Sequence, residues 1–293
     1  MDLPRLLAPA DEEPGVRAVR HVASLARGGP LDPAWRVTLN FHPDRLARDG
    51  LSVLASIAGD GIYYAQFVTG TSNGGLTARP GGDRWRWESR IFDGAYDTAR
   101  PDERPVHGAL DFLESGAGGA PRFGSSYFRL TAATLARTTF CYPDSSTGPV
   151  DFGIVERGDR LVAKSVAEGR DPLDSHVEAQ IHGPVRIGTD VEALVLDACY
   201  RGTPVEAAAR HLPCPLVWHP GYRLPVRVLR EHPEFRGREY VVLGVRIARE
   251  GVLDPGVVGE AARSGWYDPQ AVKKVWHYVA RFGAPQPPQP RDP

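Results

Sequence analysis

Short runs of strand character crowd the middle of this chain, and helical patterns occupy both of its ends. That distribution favours an α+β architecture over a regularly alternating α/β sheet. Trp35 to Phe41 alternates as a strand and stops at His42-Pro43. Ile62 to Val68, His107 to Leu113, Phe123 to Leu130, Thr138 to Tyr142, Val177 to His182 and Ala193 to Asp197 continue the series. The last two are expected to join through a turn around Gly188. Helical spacing covers Val16 to Ala26 and Asp44 to Ala58, then Pro204 to Leu212, Pro255 to Ser264 and Asp268 to Phe282.

These patterns divide the 293 residues into four parts. The expected parts are an N-terminal helical segment at 1–34, an α+β core at 35–202 expected to be catalytic, a C-terminal helical extension at 203–283 expected to pack on that core, and a Pro-rich tail at 284–293 expected to be disordered. Hydrophobic residues make up 42% of the chain, enough to bury a substantial core. The net charge of −1 offers no global attraction for nucleic acid or an anionic membrane. Lysine occurs only at Lys164, Lys273 and Lys274, so most cations are forked guanidinium groups suited to carboxylates or phosphates. Cys141, Cys199 and Cys214 have no C-x-x-C spacing, which argues against a disulfide framework or a Cys-rich zinc site. No secretory signal and no run of roughly 18 apolar residues is visible, so the expected location is cytoplasmic, with signal-less export left open.

Several familiar motifs are absent. The chain has no G-x-x-x-x-G-K-[ST] and no H-E-x-x-H. His176-x-Glu178 with Pro213-Cys214 resembles half of a zinc deaminase signature, but position 217 is Val217 where the second Cys belongs.

Three polar segments stand at or beside expected strand ends: His42-Pro-Asp-Arg45, Thr69-Gly-Thr-Ser-Asn73 and His176 to His182. In the third, period two puts Glu178 and Gln180 on one face and Val177, Ala179 and Ile181 on the other. A central position in the sheet would then hold Glu178 over the sheet surface. His42 has a plainer reading as the neighbour of a helix cap at Asp44. The Thr71-Ser-Asn-Gly-Gly75 turn reads either as an ordinary loop or as a ligand loop; its length and the following Trp85, Trp87 and arginines favour the ligand loop.

Two resemblances enter at these residues. Thr38-Leu-Asn-Phe-His-Pro-Asp-Arg45, Gly70-Thr-Ser-Asn-Gly-Gly-Leu76, Pro80 to Glu88, Pro121 to Leu130 and Arg137 to Ser145 resemble an uncharacterised bacterial family of unknown function, over roughly residues 35–245. Val177-Glu-Ala-Gln-Ile-His-Gly183 followed by a strand resembles the catalytic end of ADP-ribosyltransferase-like toxin domains.

The second resemblance implies a central, mostly antiparallel, split β-sheet of ADP-ribosyltransferase type. His42 or Arg45 would orient NAD, and Thr71, Ser72 and Asn73 would support the site. Tyr127 resembles the aromatic that stacks on nicotinamide in the poly-ADP-ribose polymerase branch. Glu178, with Gln180 beside it, would promote loss of nicotinamide. NAD is then a consumed substrate, no metal is expected, and the acceptor is an unspecified protein, nucleic acid or small molecule. One departure is clear: relatives often carry E-x-E or Q-x-E, whereas this chain has E-x-Q. The alternatives are a metal-assisted hydrolase using His176, Glu178 and His182, or a non-catalytic module presenting Trp85, Trp87 and arginines.

Overall fold

The computed structural model describes residues 12–47, 49–70 and 77–283. Its twelve strands are β1 (Arg36–Phe41), β2 (Ile62–Tyr63), β3 (Val106–Asp111), β4 (Ser126–Leu130), β5 (Thr138–Tyr142), β6 (Asp151–Ile154), β7 (Glu178–Ile181), β8 (Val185–Arg186), β9 (Val191–Asp197), β10 (Leu216–His219), β11 (Leu224–Pro225) and β12 (Val252–Leu253). Eight of them form one sheet in the order β10-β9-β4-β1-β3-β7-β5-β6. Every neighbouring pair is antiparallel except β9 and β10. The result is a mixed α+β fold with a large, mostly antiparallel sheet flanked by helices.

Strand register sorts the side chains onto two unlike faces. Leu39 opposes Phe128, Phe128 opposes Leu194, and Ala179 opposes Phe140. This apolar face buries Leu54 and Ile57 of the helix Val53–Asp60, Leu161 and Val162 of Asp159–Glu168, and Val205 and Ala209 of Pro204–Ala209. The opposite face is more polar. Thr38 pairs with Ala109, Ala109 with Glu178, and Glu178 with Cys141, so these side chains share it with His107 and Gln180. Helices Pro14–Leu25 and Asp83–Ile91 cover its β5–β6 end through Ala18, Val22, Trp87 and Ile91. Helices Arg238–Ile247, Pro255–Arg263 and Pro269–Phe282 build a separate apolar cluster around Trp276 and Tyr278.

The sheet opens in its middle. β1 and β3 pair only from Arg36↔Asp111 to Thr38↔Ala109. Beyond that point Asn40 and Phe41 pair solely with β4, while Val106–Gly108 pair with β7. The seam between them is where a cleft enters the molecule.

Several sequence expectations change. The run Ile62 to Val68 finds only the two-residue partner β8, so β2 ends at Tyr63 and the chain turns into the short helix Gln66–Thr69. The helix expected from Asp44 begins at Val53, because the Ser52 hydroxyl caps it by accepting from Ala55 N at 3.2 Å. Asp44 is no cap: it is buried, taking the Tyr200 hydroxyl at 3.1 Å and an ion pair from Arg263. β7 and β9 are not neighbours; β7 lies between β3 and β5, and β9 between β4 and β10. Leu216–His219, within the stretch expected to be helical, adds β10 to the sheet. Among the described residues, no helix is long and apolar enough to cross a membrane.

Candidate functional site around Glu178

Glu178 begins β7, a strand buried along its whole length, with β3 on one side and β5 on the other. Its carboxylate is fixed from several directions. Oε1 lies 2.8 Å from His107 Nδ1, 3.4 Å from Arg84 Nη1 and 3.4 Å from Gln180 Nε2. Oε2 accepts the Ser145 backbone N–H at 2.7 Å. Only 9% of the side chain meets solvent. Burial alone pushes such a carboxyl upward. Here the His107 hydrogen bond, the Arg84 and His107 charges and the Ser145 N–H outweigh it, and Glu178 is held well below the usual carboxylate range.

More buried charge lies behind this carboxylate. Arg84, Trp87, Glu88 and Ile91 recur at helical spacing on Asp83–Ile91 and all point inward. Glu88, fully buried, accepts from Arg104 Nη1 at 2.6 Å and faces His107 Nε2 at 3.3 Å. Arg104 also donates to Tyr96 O at 2.7 Å. The buried order is therefore Arg84–Glu178–His107–Glu88–Arg104, cation and acid alternating around one imidazole. Arg84 Nη1 additionally meets Ser145 Oγ at 3.0 Å.

The cleft in front of Glu178 encloses about 180 Å³. That is below the roughly 300–1,000 Å³ of a site for a whole drug-sized ligand, so it fits one part of a larger molecule. Asn40, His42 and Arg45 line the β1 wall; His107, Arg84 and Glu178 line the other; Tyr63, Tyr64 and Gln66 close a third side. The Asn40 amide also holds the rim: Nδ2 donates to Ala117 O at 2.9 Å, and Oδ1 accepts from Ala120 N at 3.2 Å.

The structure thus brings Glu178, His42 and Arg45 to one cleft. His42 is half-buried, its ring edge-on to Trp276 at 4.8 Å, and burial followed by the Arg45 charge lowers it to about 3. Gln180 is buried behind Glu178, with its Oε1 accepting from Thr139 Oγ1 at 3.0 Å. Tyr127 is buried on the same face but outside the cleft lining, its hydroxyl 3.4 Å from Gly116 O. Thr71, Ser72 and Asn73 lie outside the described residues.

The alternative site residues do not converge. His182 faces the Tyr96 hydroxyl at 2.7 Å and Thr139 Oγ1 at 3.0 Å, one contact for each ring nitrogen. His176 is buried with its Nε2 3.7 Å from Asp144 Oδ2. Among the described residues, no group of three or more His, Cys, Asp or Glu is arranged to hold a metal ion. Trp87 is not presented at a surface: it is buried between Phe92 and His107, at 5.8 and 5.9 Å. Arg84, Glu88, His107 and Ser145 were not singled out as site residues by sequence reasoning. The signal for the first two lay in the helical spacing of 84, 87, 88 and 91.

Fold and site together define a class: a mixed α+β protein whose buried, ion-paired glutamate opens onto a seam in a mostly antiparallel sheet. The chain belongs to the family described as a protein of unknown function, DUF3626, whose model matches residues 36–171 and 159–281. No curated protein matches it significantly.

Proposed function

We propose that this chain cleaves the nicotinamide–ribose bond of NAD, as an ADP-ribosyltransferase-like enzyme acting either on an acceptor or on water. The observation that carries the reading is the state of Glu178: a carboxylate kept ionised by His107, Arg84 and Ser145, facing a cleft of limited size. The opening of the sheet between β1 and β3 supports it, because a split, mostly antiparallel sheet is what the transferase resemblance implies. His42 and Arg45 on the opposite wall supply the aromatic and cationic groups of that reading.

The chemistry suits these residues. The C1′–N1 bond breaks heterolytically, and its electron pair goes to the nicotinamide nitrogen, which leaves as a neutral ring. The ribose becomes oxocarbenium-like, as in glycoside hydrolysis. A fixed carboxylate stabilises that positive charge without reorganising, at a site largely screened from water. An acceptor or water then attacks C1′ and gives up its proton. Glu178, held so acidic, is a poor base, so that proton passes to solvent.

The test is nicotinamide release from NAD by purified protein, followed by chromatography. Glu178→Gln keeps the shape and removes the charge; release should fall by about 10²–10³-fold while NAD binding persists. A chelator should leave the rate unchanged. Wild-type protein that binds no NAD, or a Glu178→Gln variant as active as wild type, would sink the proposal.

A further inference from the structure

On the C-terminal helix Pro269–Phe282, Lys273, Trp276 and His277 are three and four residues apart and so share one face. Trp276 fixes where that face points. Its ring meets His42 at 4.8 Å and its Nε1 donates to Pro121 O at 3.1 Å, at the rim of the cleft. The residues beside those two contacts are cations. Arg45 lines the cleft three residues after His42, and Arg122 follows Pro121 with its guanidinium 5.7 Å from the ring of Phe123, another cleft residue. Arg236 joins Arg122 through a shared acid: Asp174 takes Arg122 at 2.7 Å and Arg236 at 2.8 Å.

Arg45, Arg122, Arg236, Lys273 and Lys274 are all half-buried. Two of the chain's three lysines are here, in a protein whose net charge is −1. Crowded cations in a partly desolvated place oppose one another. Burial, with Arg122, Lys274 and Arg45 nearby, pushes the Lys273 ammonium down to about 8. The same region holds buried polar atoms with nothing to meet: Arg122 Nε, Arg236 Nε and both ring nitrogens of the fully buried His277, one of them an N–H donor, have no hydrogen-bond partner among the described residues. A multiply charged anion with several acceptor oxygens relieves both problems at once.

We propose that this helix face, with Arg45 and Arg122, is a phosphoryl-binding subsite continuous with the Glu178 cleft, taking the diphosphate of a nucleotide whose reacting end lies at Glu178. The assignment of the reacting end rests on the NAD reading above; the anion subsite itself does not. It also accounts for the cleft's small volume, since the cleft need hold only one end of the ligand.

Titration calorimetry of the full chain with inorganic pyrophosphate tests it. Wild-type protein should bind pyrophosphate, ADP-ribose should compete, and Lys273→Gln should weaken binding about tenfold, the loss of one charge-assisted contact. Lys274→Gln is a second, milder variant should the first disturb folding. Absence of pyrophosphate binding, or equal affinity in wild type and both variants, overturns the subsite. Glu178→Gln separates the two proposals: it should keep pyrophosphate affinity while losing nicotinamide release. Pyrophosphate binding without any nicotinamide release from wild type leaves the subsite standing and removes the NAD reading.

Discussion

His107 places its Nδ1 2.8 Å from Glu178 Oε1 and turns its other nitrogen, Nε2, toward Glu88 Oε1 at 3.3 Å. Arg84 Nη1 also lies 3.0 Å from that Nδ1, so the imidazole touches both acids and one guanidinium. The contact sets the rotation of the Glu178 carboxyl as well as its charge, because Oε2 is held separately by the Ser145 N–H. His107 acts through Glu178 and is a positioning residue, tied in turn to the helix Asp83–Ile91 through Glu88.

That role makes a kinetic claim. His107→Asn should lower kcat for nicotinamide release by about 10²-fold, the cost of a misplaced group, with little change in KM. The His107 hydrogen bond is the largest influence holding Glu178 below its ordinary value, so its loss lets burial raise the carboxyl. The acid limb of the kcat profile should therefore move to higher pH. A uniform loss of activity with an unmoved acid limb would show that His107 only supports the fold.

Glu88 makes a claim about stability. It is fully buried between Arg104 and His107. Glu88→Ala leaves a buried guanidinium without its acid, which costs about 3–5 kcal/mol. Urea unfolding should show this as a lower midpoint. A change under about 1 kcal/mol, the size of an exposed pair, would mean that solvent reaches Arg104.

His182 and His277 predict how the fold responds to acid. Burial, then the nearby His107 and Arg137, lowers His182 to about 3; burial, then Arg122, Arg236 and the two lysines, lowers His277 to about 2. Both stay neutral in the folded state, whereas the unfolded chain takes up their protons below 6.5. The stability they contribute is complete above 6.5 and is lost as pH falls from there toward 3. By pH 5 each costs about 2 kcal/mol. Glu178, also lowered, begins to matter only below 4.5, so the two effects separate. Denaturant midpoints at pH 7.5 and 5 should differ, and His277→Leu should reduce the difference. Equal midpoints for wild type would refute the burial of these rings.

What the sequence revealed depended on whether a residue's setting was local. Thr138–Tyr142 was legible to the residue because its β-branched and aromatic run is bounded and every residue pairs with β6 or β7. The two faces of β7 followed from period two, which placed Glu178 with Gln180 before any neighbour was known. The strand expected at Ile62 to Val68 failed because strand character needs a partner, and β8 offers only two residues. His107 was invisible for a related reason. One histidine in a strand carries no signal until register sets it beside Glu178 from seventy-one residues away. The phosphoryl subsite joins residues from 45 to 274, and no local pattern connects them.

A pair of glycine substitutions tests whether the seam beside β1 is as tightly built as it looks. At Gly124 an added Cβ would lie 2.1 Å from Phe41 C and 2.2 Å from Phe41 O. Phe41 is the last residue of β1, paired with Ser126, and Asn40 Nδ2 reaches Gly124 O at 3.3 Å. Backbone cannot yield there without parting β1 from β4, on the one side where β1 is still paired. Gly124→Ala should therefore cost more than the ~1–3 kcal/mol of ordinary overpacking and widen the cleft. At Gly59, exposed in the helix Val53–Asp60, an added Cβ meets nothing within 4 Å. The same substitution there should stabilise by about 0.5–1 kcal/mol, since alanine favours the helix. Thermal melts of the two variants should move in opposite directions. If Gly124→Ala melts with wild type, β1 and the 121–124 turn are separated enough to admit a methyl group, and the wall that carries His42 and Arg45 is looser than the cleft requires.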